Sequence, residues 1–83
     1  MNKILVGTLA VGILATSLFA GVKKVYVGSN AGGYSHYVIE CTNGNSYSDL
    51  SQKSNGYWYS GASNMGDDYK GLSINGVADK KCN

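Results

Sequence analysis

The chain has little of the charged chemistry that nucleic-acid-binding proteins and glycosidases use. Arginine is absent, since all seven basic residues are lysine, and Glu40 is the only glutamate. Without arginine, and with lysines that are scattered or paired, no basic surface is indicated that would follow a phosphate backbone, so nucleic acid is not expected as a partner. No second carboxylate is placed beside Glu40, which argues against glycoside hydrolysis.

Residues suited to catalysis or metal binding are equally few. His36 is the only histidine; we predict it on an exposed strand face, and spacing places no titratable partner beside it. A Ser-His-Asp set with Asp49 is possible on paper, but the abundance of serine makes that pattern uninformative. Asp67-Asp68 lacks the spaced oxygens of a calcium loop, and two distant cysteines are no zinc ligand set. We predict no catalytic residue, no metal, no cofactor and no enzymatic activity.

The N-terminal segment has the layout of a secretory signal peptide. An apolar run over residues 4–20 follows Lys3 and ends in small residues. Cleavage after Ala20 is favoured, with cleavage after Ser17 as the alternative. The run also reaches the lower limit for spanning a bilayer, so an uncleaved membrane anchor is the other interpretation. We expect a signal peptide over residues 1–20 and export of residues 21–83 to the periplasm or the outside.

Residues 21–83 form one small domain with few aliphatic residues, whose bulk comes from Trp58 and seven tyrosines. Domains of about 60 residues are marginal on apolar burial alone and commonly need a covalent staple. In an oxidising compartment Cys41 and Cys82 are expected to pair. The loop of about 40 residues that they close is worth roughly 4 kcal/mol in the chain-entropy model. An intermolecular bond is the alternative.

Asn43-Gly44 is the strongest turn signal in the chain and predicts a β-hairpin. A two-residue loop pairs Ile39 with Ser48 and Tyr37 with Leu50. Side chains alternate between faces along a strand, so Tyr37, Ile39 and Leu50 share the core face together with Cys41. The opposite face is predicted to carry His36, Val38, Glu40, Tyr47 and Asp49.

A second Asn-Gly pair at Asn55-Gly56 precedes a strand over residues 57–60. A two-residue loop there directs Tyr57 and Tyr59 to the core and Trp58 outward, whereas a loop longer by one residue reverses this. The large contact area of Trp58 favours its burial.

The remaining segments complete an α+β architecture. Residues 22–27 are rich in β-branched residues and are predicted as the first strand, at the sheet edge, where Lys23 and Lys24 protect it from pairing with another chain. Residues 28–33 are predicted as a flexible glycine-rich link. Residues 61–71 are predicted as a loop. Ser73 is a helix N-cap. The helical stripe that follows comprises Leu72, Ile74, Val77, Ala78 and Cys82. We predict an antiparallel meander of three to four strands with one C-terminal helix packed on it.

Two short segments, residues 37–41 and Ser60-Gly61-Ala62, resemble bacterial inhibitors of C-type lysozyme, which are exported β-proteins. In those proteins the Ser-Gly-Ala loop continues with a basic residue and tyrosine, whereas Ser63-Asn64 follows here. The predicted helix also departs from their all-β fold. No residue role is transferred from that family.

Binding is therefore the expected function. The composition, rich in Tyr, Ser, Gly and Asn on a stapled scaffold, is typical of a protein-interaction module such as an inhibitor or accessory subunit. Glycan or cell-wall recognition is the alternative, and a secreted antibacterial or toxin peptide is a third, although the charge is only about +1 once Lys3 is removed. The candidate binding residues are Tyr47, Tyr57, Trp58 and Tyr59.

Overall fold

Five antiparallel strands follow one another along the chain and pair in sequence order, from β1 to β5. The computed structural model describes residues 20–83, so the predicted signal peptide lies outside the described residues except for Ala20. The strands are β1 (Val22–Ala31), β2 (Tyr34–Cys41), β3 (Ser46–Gln52), β4 (Trp58–Ser60) and β5 (Ser63–Asn64). A 3₁₀ turn (Asp67–Tyr69) and helix α1 (Ile74–Cys82) follow. The predicted α+β meander with a C-terminal helix is confirmed.

Helix α1 packs on one face of the sheet and begins as predicted. Ser73 is its N-cap, and the Ser73 Oγ accepts a hydrogen bond from the Gly76 N–H at 3.1 Å. Val77 and Ala78 are fully buried. We call the sheet face that carries Ile39 the inner face and the opposite one the outer face. The buried core on the inner side consists of Val22, Ile39, Cys41, Leu50, Trp58, Val77 and Ala78.

The predicted disulfide joins the end of β2 to the end of α1. Cys41 and Cys82 are bonded, with 5.4 Å between their Cα atoms. The helix C-terminus is thereby fixed to the end of the sheet where β2 finishes. The Asn83 amide completes this end, since it donates to the carbonyl oxygens of Ala20 and Asp79.

Both Asn-Gly hairpins have three-residue loops instead of the two-residue loop predicted at Asn43-Gly44. In the first, the Gly44 N–H donates to the Cys41 carbonyl and Gly44 adopts a φ of 94°. The second repeats this with the Gly56 N–H, the Lys53 carbonyl and a φ of 86° at Gly56. This is a type I turn followed by a left-handed residue. The longer loop directs Trp58 inward, where 2% of it is exposed, as its size favoured.

The three-residue loop also changes the pairing within the first hairpin. Ile39 pairs with Tyr47 instead of Ser48, so Tyr47 lies on the inner face and its predicted outer-face position is wrong. An irregularity between Tyr37 and Ile39 then shifts the register by one residue. The predicted pair of Tyr37 with Leu50 is consequently present.

Two predicted loops contain regular structure. Strand β1 continues through residues 28–31, so only Gly32-Gly33 turns, and the predicted flexible link is wrong. A bulge after Val27 accommodates Gly28, where a Cβ would come within 2.8 Å of the Val38 side chain. The predicted loop over residues 61–71 contains β5 and the 3₁₀ turn. A two-residue connection at Gly61-Ala62 lets β5 pair with β4.

Candidate functional site

The outer face of the sheet carries a histidine–aspartate pair at the β3 bulge. The His36 Nδ1 lies 2.6 Å from the Asp49 Oδ1, and the Nε2 lies 3.3 Å from the Ala31 carbonyl oxygen. The His36 side chain is only 16% exposed, whereas that of Asp49 is 57% exposed. His36 is therefore not the exposed, unpartnered residue that spacing predicted. Its face was predicted correctly, and residues on diagonal positions of one face lie within reach of each other.

Asp49 holds this position through an unusual backbone conformation. Its φ is +58°, the only positive φ among the described non-glycine residues. Asp tolerates the left-handed region better than most residues, because its short polar side chain bonds locally. The Asp49 carbonyl also accepts the Gly61 N–H at 3.0 Å. The bulge thus fixes both the carboxylate and the adjacent β4–β5 turn.

This pair does not extend to a nucleophile. By the register of β2 and β3, Ser51 lies across the ladder from His36, on the outer face. The Ser51 Oγ is buried and makes no hydrogen bond within residues 20–83. Both ring nitrogens of His36 already face other acceptors, so no nitrogen is directed at Ser51 to act as its base. The arrangement positions a side chain and does not form a charge-relay set.

Lysine ammonium groups lie over most of the tyrosine rings. Six of the seven tyrosines have a lysine Nζ between 4.4 and 5.9 Å from the ring centroid. Lys53 lies over both Tyr34 and Tyr59, and Lys81 over both Tyr47 and Tyr69. Such contacts are favourable cation–π interactions. Tyr37 is the exception: its ring packs on Trp58, with 5.9 Å between centroids.

The four residues predicted as a binding surface do not all lie on one face of the sheet. Trp58 is in the core, and its indole N–H donates to the Leu72 carbonyl at 2.9 Å. Tyr47 lies on the inner face, partly buried against the core under Lys81. Tyr59 pairs with Ser51 on the outer face, and Tyr57 follows the second hairpin loop. The structure does not bring these rings together into one aromatic platform.

Tyr57 is hydrogen-bonded to an acidic residue of the 3₁₀ turn. Its hydroxyl donates to the Asp67 Oδ1 at 2.7 Å. This bond, together with the negative charge of Asp67, raises the pKa of Tyr57 above its ordinary value of 10.0. The contact ties the start of β4 to the turn that leads into α1.

A cleft of about 440 Å³ opens on the inner face beside the N-terminus of α1. Its aromatic lining is Tyr34, Tyr37 and Trp58, and Ile74 of the helix contributes aliphatic surface. The remaining lining residues are Gly33, Ser35, Gln52 and Ser73. The volume lies within the range of known ligand pockets. Sequence periodicity did not indicate this cleft, since it depends on how far the helix extends over the sheet.

Strand β1 forms the long free edge of the described sheet. It has ten residues, eight of them exposed, whereas β5 at the other edge has two. The exposed large hydrophobic residues of the described chain, Tyr26 (39%) and Val27 (45%), are adjacent on this edge. Val27 pairs with Tyr37, a cleft residue, so edge and cleft adjoin on the inner face.

Comparison with known proteins gave no relative: no protein family, no curated protein and no solved structure matches the chain. Across residues 20–83, no helix has the length and apolar character needed to cross a membrane. The same residues contain no group of three or more histidine, cysteine, aspartate or glutamate side chains arranged to hold a metal ion.

Proposed function

We propose that this chain is an exported, non-enzymatic binding module that recognises another polypeptide along the edge strand β1. The observation that carries the proposal is that edge, which is ten residues long and mostly exposed. An extended partner segment adds to such an edge through main-chain hydrogen bonds, while its side chains contact the two faces.

Export is supported by two independent features. The apolar run of residues 4–20 after Lys3 has the pattern of a signal peptide. The Cys41–Cys82 bond is of the kind that persists in oxidising compartments outside the cytoplasm. The test is the intact mass of the protein from fractionated native cells. A soluble chain beginning at Gly21 with its disulfide intact supports export, whereas a full-length chain with free thiols contradicts it.

The lysine pair at the start of β1 favours an acidic partner segment over a second copy of β1, which contains no acidic residue. Lys23 and Lys24 lie at its beginning, and exposed edge lysines discourage two identical edges from pairing. Tyr26 and Val27 lie two and three residues after Lys24 and supply one apolar contact to each face. The favoured partner segment is thus extended and apolar opposite these two residues, with acidic residues opposite the lysines.

Site-specific photo-crosslinking in native cells tests this proposal. A benzophenone amino acid at Tyr26 or Ser29 on β1 is compared with the same probe at Ser54, which is in a loop. We expect one discrete adduct from the β1 positions and none from Ser54. A further Val27→Lys substitution should abolish the adduct, whereas Asn45→Lys should leave it unchanged. No adduct, an adduct that survives Val27→Lys, or an adduct with a second copy of the chain would overturn the proposal.

A further inference from the structure

We propose that the inner-face cleft holds an aromatic side chain of the polypeptide that pairs with β1. This inference rests on the proposed function and specifies the partner's chemistry. The cleft is formed because α1 covers the sheet only near the disulfide, and the helix N-terminus at Ser73 and Ile74 makes one wall.

The lining of the cleft excludes a charged ligand. None of its eight residues is lysine, aspartate, glutamate or histidine. An ionic group placed there would lose hydration without gaining an opposite charge, which is strongly unfavourable. The occupant is therefore neutral.

Several polar side chains of the cleft already have a partner within the protein. The Ser35 hydroxyl donates to the Asn30 Oδ1 at 3.1 Å, and the Gln52 amide donates to the Gly56 carbonyl at 3.2 Å. The Ser73 Oγ accepts the Gly76 N–H at 3.1 Å. A saccharide, which brings many hydroxyl groups, would have to compete with these internal hydrogen bonds. An apolar ring has no such requirement.

The remaining surface suits an aromatic ring. Tyr37 and Trp58 pack in a tilted arrangement with an interplanar angle of 57°, and Ile74 lies on the helix side. Because Trp58 is only 2% exposed, a third ring gains tilted or offset contact chiefly with Tyr37, as well as apolar burial. Aromatic residues in well-packed pockets commonly dominate the affinity of protein interfaces.

The cleft is also in the right place for a side chain of an added strand. Val27 is 45% exposed and lies beside Tyr37 on the inner face. Alternate side chains of a segment paired with β1 are directed to this same face. An aromatic side chain next to Val27 therefore has a path across it toward Tyr37.

The indole N–H of Trp58, the single tryptophan, provides an NMR reporter in the cleft lining. The oxidised protein is titrated with N-acetyl-phenylalanine amide. Separate titrations use N-acetyl-alanine amide, which lacks the ring, and methyl glucoside, which represents a saccharide. We expect the phenylalanine derivative to shift the Trp58 resonance saturably, with a dissociation constant on the order of millimolar. The alanine derivative should cause no saturable shift. Intermolecular NOEs from the phenyl ring to Tyr37 and Ile74 should place the ring.

Two matched variants test whether the phenylalanine derivative binds in the cleft. Ile74→Glu puts a charge into the cleft at the helix N-terminus, where an acidic residue favours the helix. Asn75→Glu adds the same charge one residue away, outside the lining. We expect about tenfold or greater weakening for Ile74→Glu and unchanged binding for Asn75→Glu.

The outcomes separate this inference from the proposed function. No saturable shift, or a shift insensitive to Ile74→Glu, overturns the aromatic assignment, and saturable binding of methyl glucoside alone assigns the cleft to a saccharide. Neither result affects crosslinks from β1, because the small probes do not pair with the edge. Loss of the crosslinks with a retained aromatic site would instead refute the edge as the docking surface.

Discussion

The inner face of the sheet has two halves that differ in what covers them. In the covered half, Ile39 and Cys41 lie under α1, with Val77 of the helix fully buried against them. In the open half, Tyr37 and Gln52 border the cleft. The covered half holds the disulfide and much of the buried aliphatic surface, while the open half keeps aromatic surface accessible. The stapled core and the proposed binding cleft thus lie at different ends of one small sheet.

The length and attachment of the helix explain this division. Nine residues of α-helix extend only about 14 Å. Cys82 fixes the C-terminal end of the helix to Cys41 at one end of β2. The helix therefore does not extend over Tyr34, at the other end of β2. The β3 bulge at Asp49 falls between the two halves, where the register changes.

The largest expected effect comes from removing the staple of the covered half. Cys41→Ser with Cys82→Ser should lower the free energy of unfolding by roughly 4 kcal/mol, because the bond no longer restricts the unfolded chain. For a domain this small, that is comparable with its whole stability. Urea denaturation of the wild type with and without reductant measures the effect. An unchanged midpoint after reduction would contradict it, and the double variant controls for effects of the reductant itself.

Matched truncations on α1 compare the halves directly. Val77→Ala should cost about 2 kcal/mol, because Val77 is fully buried and its loss leaves a cavity. Ile74→Ala, at the half-buried cleft wall, should cost about half as much, since the site is already open to solvent on one side. Urea midpoints of the two variants give the comparison. Equal losses would mean that the cleft wall supports the core as strongly as the covered half.

A smaller loss of stability is expected from a substitution at the β3 bulge, between the two halves. Asp49→Ala should destabilise the fold by about 1–2 kcal/mol, because it removes the His36 contact and places alanine at a positive φ. Asp49→Asn keeps a residue that tolerates this backbone and should cost less. Chemical denaturation separates the two, and an alanine variant as stable as the asparagine variant would show that the backbone conformation carries no cost.

The smallest expected effect concerns the contact that joins β4 to the 3₁₀ turn. Asp67→Asn should lower the pKa of Tyr57 toward 10.0, since the charged acceptor that favours the protonated phenol is removed. The raised pKa in the folded state means that this contact stabilises the fold below about pH 10. The stabilisation is lost as the pH rises through the pKa of Tyr57. NMR titration of the tyrosine rings measures it, with Asp68→Asn as the control expected to leave Tyr57 unchanged.

Local turn chemistry in the sequence located both Asn-Gly hairpins but not their loop lengths. In each, the asparagine Oδ1 accepts the backbone N–H two residues later, at 2.9 Å for Asn43 and 3.0 Å for Asn55. A type I turn that begins two residues before the asparagine, at Cys41 or Lys53, therefore competes with the two-residue turn. At the second hairpin the size of Trp58 indicated the right result, whereas the first offered no residue of comparable bulk.

The candidate site was less predictable than the fold. His36 and Asp49 were assigned to one face, but their contact depends on the β3 bulge. The residues around Asp49 contain no turn or bulge signal that predicts it. The position of β1 at the sheet edge was predicted, whereas the cleft depends on where the helix ends relative to the sheet, which is a tertiary property. The size of Trp58 favoured its burial, whereas Tyr47 was placed on the outer face and lies on the inner one. Their burial follows from register, so they do not form the exposed platform.

Native-state hydrogen exchange of two amides on the same strand tests the division between the halves most directly. We expect the Ile39 amide, under α1, to exchange only through global unfolding. The Ser35 amide, beside the cleft, should exchange through smaller local openings, at least about tenfold faster. Such a difference in exchange rate along β2 would support a stable half held by the disulfide and a less stable half beside the proposed binding cleft. Equal protection of both amides would contradict the account, because the whole sheet would then open as a single unit.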